Sequence, residues 1–348
     1  MGPSASVLVT GGAGYIGSHV VQQLRARGNR VVVLDNLVTG FRQAVGDVPL
    51  VIGDVGDRAL VERLLAEHGV GTVMHFAAST IVPESVREPL KYYGNNTAAT
   101  RSLLEACMHG GVRRFVFSST AAVYGMPEAG LAREEATPAP INPYGTSKLM
   151  SEWILRDLAA VSDFRYVALR YFNVAGSDPL CRIGQATARA TLLIKVACQH
   201  LVGKRDHVSV FGSDYPTPDG TGVRDYIHVS DLARAHLDAL DYLAAGGDPQ
   251  VLNVGYGHGY SVREVLASVE RVAGQKLVVR EVIASVERVA GQKLVVREEP
   301  AREGDPPTLV AATGRVRQVL GWQPRLDDLD AIVRHSLAWE RKLLREPW

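Results

Sequence analysis

Three cysteines, a net charge of +1 and no long apolar run set the first limits on this 348-residue chain. Cys107, Cys181 and Cys198 form no C-x-x-C pair and no zinc-finger spacing. No metal site is therefore expected, and a reduced, cytoplasmic setting is. No apolar stretch approaches the ~18 residues that a membrane span needs. Nothing at the amino terminus reads as a secretory signal. Acids and bases are interspersed with no basic block, which argues against nucleic acid or an anionic membrane as the main partner. What is present is an ordinary globular composition, 46% hydrophobic and 22% charged, enough for one large two-lobed unit or two domains.

Short β-branched runs recur at 6–10, 30–35, 50–55, 72–77, 113–119 and 165–172, and helical patterns fall between them at 57–68, 84–109 and 143–160. Strands that alternate with helices predict parallel pairing with right-handed crossovers, hence an α/β doubly wound sheet. Beyond about residue 175 the pattern loosens into Gly-, Pro- and Asp-rich loops such as "GSDYPTPDGTGVRD" (212–225), where a second, smaller lobe is expected. "VLNVG" (251–255) is a candidate to rejoin the main sheet.

One segment is a tandem copy. "EVLASVERVAGQKLVVR" (264–280) runs straight into "EVIASVERVAGQKLVVR" (281–297), with Leu266 against Ile283 as the sole difference. Two copies are too few for a solenoid. Each reads as a helix, a glycine stop at Gly274 or Gly291, and a strand. Ser261 caps the first helix and Arg297 leads into "REGD", so chain continuity favours the first helix and the second strand in the fold's single slot for each.

Gly11, Gly14 and Gly17 follow the first strand and open the first helix. Such glycines serve a tight turn, close approach of a pyrophosphate and tight helix–strand packing, with the helix N-terminus facing the phosphates. Asp35 ends the second strand, where a carboxylate accepts the adenosine ribose hydroxyls and repels a 2′-phosphate. NAD is therefore favoured over NADP. Asp54 reads equally as an adenine-edge contact or a helix N-cap partner.

Asn142 and Pro143 are a helix N-cap and first-turn pair, which puts Tyr144 and Lys148 at i and i+4 on one face. Alone, that spacing marks a helix surface. Behind a dinucleotide motif it reads as chemistry: an ammonium beside a phenol stabilises the phenolate and pulls its pKa from about 10 toward neutrality. "SSTAAVYG" (118–125) offers the hydroxyl of Thr120 as a third member.

The segments "VTGGAGYIGSH", "DNLVTG", "HFAA", "FSSTAAVYG", "NPYGTSK", "RYFNVAG", "FGSDYPTPDGTGVRDYIHVSDLA" and "REGD" together resemble the UDP-glucose 4-epimerase family, a branch of the extended short-chain dehydrogenases/reductases. The likeness runs nearly end to end in the same order. It implies a Rossmann-type NAD domain over residues 1–174 plus about 224–255, and a smaller mixed α/β nucleotide-sugar domain over about 175–223 plus 256–348. It implies a tightly held NAD, a UDP-sugar substrate, and a homodimer paired through the helices of 84–109 and 143–160. Leu103, Leu104, Trp153 and Leu155 are apolar candidates for that contact. By the same resemblance Tyr144 is the base, Thr120 relays or orients the proton, and Lys148 holds the nicotinamide ribose. Cofactor contacts are implied for Tyr15, Ile16, Asn36, Asp54, Val55, Phe76, Ala77, Ala78, Asn95, Ser118 and Phe172. Substrate contacts are implied for Thr120, Asn173, Phe211, Arg224, Arg302 and Asp305, the arginines suiting a diphosphate.

Three positions depart from the family pattern. Thr80 stands where a lysine is common, Leu192 where Asn or His is usual, and Leu309 where many members carry tyrosine. A 4,6-dehydratase reading fails at "TAA", since Ala121 and Ala122 replace the acid pair that expels water. An epimerase acting on an N-acetylhexosamine, uronate or pentose UDP-sugar and a non-catalytic NAD sensor stay open at this point.

Overall fold

The computed structural model describes residues 5–187, 190–274, 278–279, 295–301 and 305–348. The chain begins with β1 (Ser6–Thr10), α1 (Tyr15–Ala26), β2 (Val31–Asp35), β3 (Leu50–Ile52), α2 (Arg58–His68) and β4 (Val70–His75). There follow α3 (Val82–Arg87), α4 (Pro89–Tyr92), a π-helical turn (Tyr93–Ala98), α5 (Ala99–His109), β5 (Arg114–Ser118), β6 (Leu131–Ala132), α6 (Pro143–Ala160), β7 (Arg165–Tyr171) and β8 (Asn173–Ala175). The remainder is α7 (Leu193–Leu201), β9 (Val208–Phe211), β10 (Val223–Arg224), β11 (Tyr226–His228), α8 (Val229–Ala244), β12 (Gln250–Val254), β13 (Tyr260–Ser261), α9 (Val262–Ala273), β14 (Val278–Val279), β15 (Val295–Glu299), β16 (Thr308–Ala311), α10 (Gly314–Leu320) and α11 (Leu329–Arg345).

Seven strands form the main sheet in the order β12-β7-β5-β4-β1-β2-β3, and every pairing in it is parallel. The strand order reverses between β1 and β4, which opens a crevice at their carboxyl ends. Both faces of the sheet are covered. Val7 and Val9 of β1 pack into one apolar cluster with Val20 and Leu24 of α1, and Leu8 packs into the opposite cluster with Leu64 of α2 and Leu103 of α5. Burying each such side chain contributes roughly 1.5–3 kcal/mol, which is why β-branched runs sit on both faces here. The stretch after 250 does rejoin the sheet, with β12 paired to β7 from Val167↔Gln250 to Tyr171↔Val254.

The pattern at 84–109 is not one helix. Pro89 lacks an N–H and disfavours a helical residue before it, so α3 ends at Arg87 and α4 begins at Pro89. The chain then widens into the π turn at Tyr93–Ala98 before α5. Leu103, Leu104 and Leu155, expected at a dimer contact, are buried within this chain's own core, whereas Trp153 is 46% exposed.

Beyond the main sheet, α9 is the first copy of the tandem repeat. Ser261 and Glu264 form a reciprocal capping box, and Gly274 closes the helix in the left-handed region at φ 70°. Beside β9 lies β15 of the second copy, with Val296↔Val208 through Glu299↔Phe211. The first copy's Val278 and Val279 pair outside β15, opposite Val295 and Val296, their equivalents in the repeat. The second copy's helix lies outside the described residues. No helix among the described residues is long and apolar enough to cross a membrane.

Candidate active site

The turn after β1 lies in the crevice. Gly11 has φ 70°, and a Cβ there would meet the backbone N of Ala77 at 2.5 Å; a Cβ on Gly17 would meet the Gly11 carbonyl O at 2.3 Å. Only glycine allows the turn, the loop after β4 and the helix to approach this closely. Gly14 is the N-cap of α1 and supplies no capping side chain, so the helix's first N–H groups are free for an anion. Asp35 is buried at the end of β2, where its Oδ2 accepts from Ala13 N (2.9 Å) and its Oδ1 from Leu37 N (2.8 Å). The carboxylate thereby fixes the glycine turn to the loop it must face. This cradle fits a dinucleotide.

Around it, Tyr15 donates to the Gly176 carbonyl (2.7 Å), Ile16 packs on the core, and the Phe76 ring lies tilted against His236, their centres 4.7 Å apart. Ala77 packs on the opposite apolar cluster and Ala78 follows it in the same half-buried loop. Asn36 accepts from Val38 N (3.1 Å) in its own turn, and Val55 is buried. Asp54 accepts from Gly56 N (2.7 Å), and the cap of α2 is Asp57, which accepts from Leu60 N (3.1 Å). The N-cap reading of Asp54 is thus corrected: its oxygen is used by the local turn.

Helix α6 starts where the sequence predicts, with Asn142 Oδ1 accepting from Gly145 N (2.9 Å). Tyr144 and Lys148 are both buried. The Tyr144 phenol lies beside the Thr120 hydroxyl, whose Oγ1 accepts from Ala122 N (3.1 Å). Burial pushes the phenol's pKa above its usual value, with the neighbouring Thr120 hydroxyl working in the other direction. Lys148 donates to the Ser118 carbonyl (2.9 Å), and its ammonium lies 4.8 Å from the Phe117 ring centre. Burial brings the Lys148 pKa down to about 7, against the opposing charge of Glu152. The Ser118 hydroxyl meets the Tyr171 hydroxyl at 2.9 Å. A phenol, an ammonium and a hydroxyl, all desolvated at a strand end beside the cradle, can take a proton from a substrate hydroxyl and stabilise the anion so formed.

The π turn positions this group, and sequence reading missed how. Asn95 donates to Ser79 Oγ (3.0 Å). Its neighbour Asn96 accepts from Ser79 N (2.8 Å) and donates both to Ser79 O and to Ser147 Oγ of α6 (each 3.0 Å). The wide turn lets adjacent asparagines reach the cofactor-side loop together. Nearby, His75 sits between Thr10 Oγ1 (2.6 Å) and Thr100 Oγ1 (2.9 Å), with its pKa lowered to about 3 by burial and by Lys148.

Toward the smaller lobe, Phe172 is buried with Tyr124, Leu149 and Ala311, and Leu309 packs against this cluster. Asn173 pairs with Tyr226 across β8 and β11. Phe211 ends β9. Arg224 meets Asp305 through Nη2 and Oδ1 at 2.5 Å. The strand carrying Arg224 is anchored by buried Asp225, which accepts from Tyr256 N and Gly257 N (each 2.9 Å), a hub with no local sequence signal. Leu192 precedes α7 and lines a small cavity with Tyr15, Gly176 and Lys195. Thr80 is exposed. Arg302 lies outside the described residues. Among the described residues no cluster of His, Cys, Asp and Glu is placed to hold a metal ion.

Residues 7–255 match the NAD dependent epimerase/dehydratase family. A UDP-glucose 4-epimerase of Azospirillum brasilense is 53% identical over 341 residues, covering 98% of this chain and 93% of the relative. A solved UDP-glucose 4-epimerase from Brucella ovis, in complex with NAD, superposes with TM-score 0.88 at 41% identity and covers 96% of this chain and 98% of its own. A UDP-Glc/GlcNAc 4-epimerase from Campylobacter jejuni superposes with TM-score 0.81 at 43% identity, covering 97% of this chain and 100% of its own.

Proposed function

The chain belongs to the NAD dependent epimerase/dehydratase family, and within it we propose that this protein interconverts UDP-glucose and UDP-galactose by NAD-dependent inversion at sugar C4. It is an isomerase with a UDP-sugar substrate. The observation that carries the reading is the buried Tyr144 phenol beside Thr120, with buried Lys148 one helical turn along, set beside the glycine turn and Asp35. When bound, NAD supplies a reversible hydride acceptor for C4. Gly11, Gly14 and Gly17 would hold its phosphates, Asp35 the adenosine ribose, and Lys148 the nicotinamide ribose.

Tyr144 takes the proton from the 4-hydroxyl, with Thr120 orienting the transfer and the Lys148 ammonium stabilising the phenolate. The resulting 4-keto sugar turns about its diphosphate linkage and presents its other face. Tyr144 then returns the proton to the 4-oxygen as the hydride comes back to C4 on that face. Asn173, Phe211, Arg224, Arg302 and Asp305 hold the nucleotide, and a guanidinium suits the diphosphate. The test is incubation of purified protein with UDP-galactose without added reductant or oxidant. Conversion to a mixture with UDP-glucose is expected; no conversion with NAD bound would favour a sensor.

A second reading concerns the sugar. Leu309, which packs near Phe172, is smaller than the tyrosine common at that place and leaves room for an N-acetyl group. The similarity to a UDP-Glc/GlcNAc 4-epimerase fits this. The assembly we propose is a homodimer through α3, α4 and α6, where Val86, Leu90 and Trp153 are 62%, 83% and 46% exposed. An apolar face of this kind suits a partner copy, and a monomer by light scattering at micromolar concentration would refute it. Free Cys107, Cys181 and Cys198 suit a reducing cytoplasmic setting.

A further inference from the structure

Three buried ionisable side chains stand on one face of α6 at successive turns: Tyr144, Lys148 and Glu152. Each is tied to one of three consecutive residues where β5 ends. Lys148 donates to the Ser118 carbonyl (2.9 Å), Glu152 Oε1 accepts from Ser119 Oγ (2.5 Å), and Tyr144 lies against the Thr120 hydroxyl. The first and third ties belong to the reacting group. The middle one does not, yet it sits between them.

Glu152 is held from a third element. Arg170 of β7 donates to it through Nε (3.0 Å to Oε1) and through Nη2 (2.6 Å to Oε2), and both side chains are 5% exposed or less. The Arg170 guanidinium also lies 4.8 Å from the Tyr124 ring centre. A desolvated ion pair contributes little to net stability and is often replaceable by apolar residues. Its retention at this point in the site calls for another role.

We propose that Glu152, locked by Arg170, is a positioning residue of the reaction: it fixes α6 against the end of β5, so that Tyr144 reaches Thr120, and keeps an anion facing the Lys148 ammonium. This rests on the reading of Tyr144, Thr120 and Lys148 as the reacting group. The groups facing Lys148 are the Ser118 carbonyl of β5, the Phe117 ring, His75 of β4 and Glu152 of its own helix. Those facing Glu152 are Ser119, Arg170, Tyr124 and Tyr166. His75 is neutral over the working range, so Glu152 is the anion among them that holds Lys148 charged.

The sign follows. Burial lowers the Lys148 pKa and the Glu152 charge raises it. Removing that charge lowers it further, and the ammonium is lost at a lower pH. In Glu152→Gln holoenzyme, kcat is expected to fall roughly ten-fold or more from misplacement of the phenol. The upper pH limit of kcat is expected to move down by about one unit, with KM nearly unchanged. Ser119→Ala cuts the tie and keeps the charge, so kcat falls while the pH limit stays. If Glu152→Gln does not fold, the Glu152→Met/Arg170→Met pair, which leaves no lone buried charge, and Ser119→Ala carry the test. Wild-type kcat in folded Ser119→Ala, or a wild-type pH profile in either folded Glu152 variant, overturns the proposal. Wild-type protein and Tyr144→Phe run alongside separate that result from failure of the functional reading, which would show as no epimerisation in the wild type.

Discussion

Helix α6 and the repeated segment after Ser261 are both helices followed by a strand, yet their placement is specified differently. Helix α6 has one start, made by Asn142 and Pro143, and its buried face is tied to β5, β7 and the π turn through Ser119, Arg170 and Asn96. No alternative segment can take its place. The repeat offers the same helix and strand twice, and local preference cannot choose between copies that differ only at Leu266 and Ile283. What chooses is continuity: Ser261 caps the helix that follows it, and the strand beside β9 is the one that leads on toward Asp305. Unique side-chain partners hold the reacting group, whereas the repeat leaves the first copy's Val278–Val279 at a sheet edge.

Breaking the unique region carries the largest effect. Tyr144→Phe keeps the glycine turn and Asp35 intact, so bound NAD is expected to be retained on purification. Loss of the base is expected to lower turnover by ~10²–10⁴-fold. Unchanged turnover would remove Tyr144 from its role. A subtler change sharpens the contrast at the edge of the site. Leu309→Tyr is expected to lower kcat/KM for UDP-N-acetylgalactosamine by roughly ten-fold relative to UDP-galactose; equal effects on both sugars would show that Leu309 does not set the room available. The smallest effect is expected in the redundant region. Deleting 264–280, or instead 281–297, yields chains that differ only by Leu or Ile and that should fold with Tm near the parent and keep activity. Closing a loop longer by 17 residues costs only a logarithmic term. Loss of folding in both deletions would make the second copy an integrated element.

The sequence carried the local signals well and the non-local ones poorly. The glycine spacing, the Asp35 strand end and the Asn142–Pro143 start each rest on neighbours within a few residues, and the corresponding elements lie where those signals place them. The stretch 84–109 misled because its apolar spacing is helical throughout, while Pro89 and the π turn divide it; the proline was the visible warning. Asn96, Ser147, Glu152 and Arg170 gave no warning, since their partners lie between 17 and 51 positions away. Asp225 is of the same kind, with partners 31 and 32 residues on.

Whether the hydride leaves and returns within one active site is tested most directly with UDP-galactose deuterated at C4, incubated with the purified protein and no added NAD. The account predicts UDP-glucose that keeps its deuterium at C4, with no net oxidation or reduction. Loss of the label to solvent, or conversion that requires added NAD in each turnover, would contradict it.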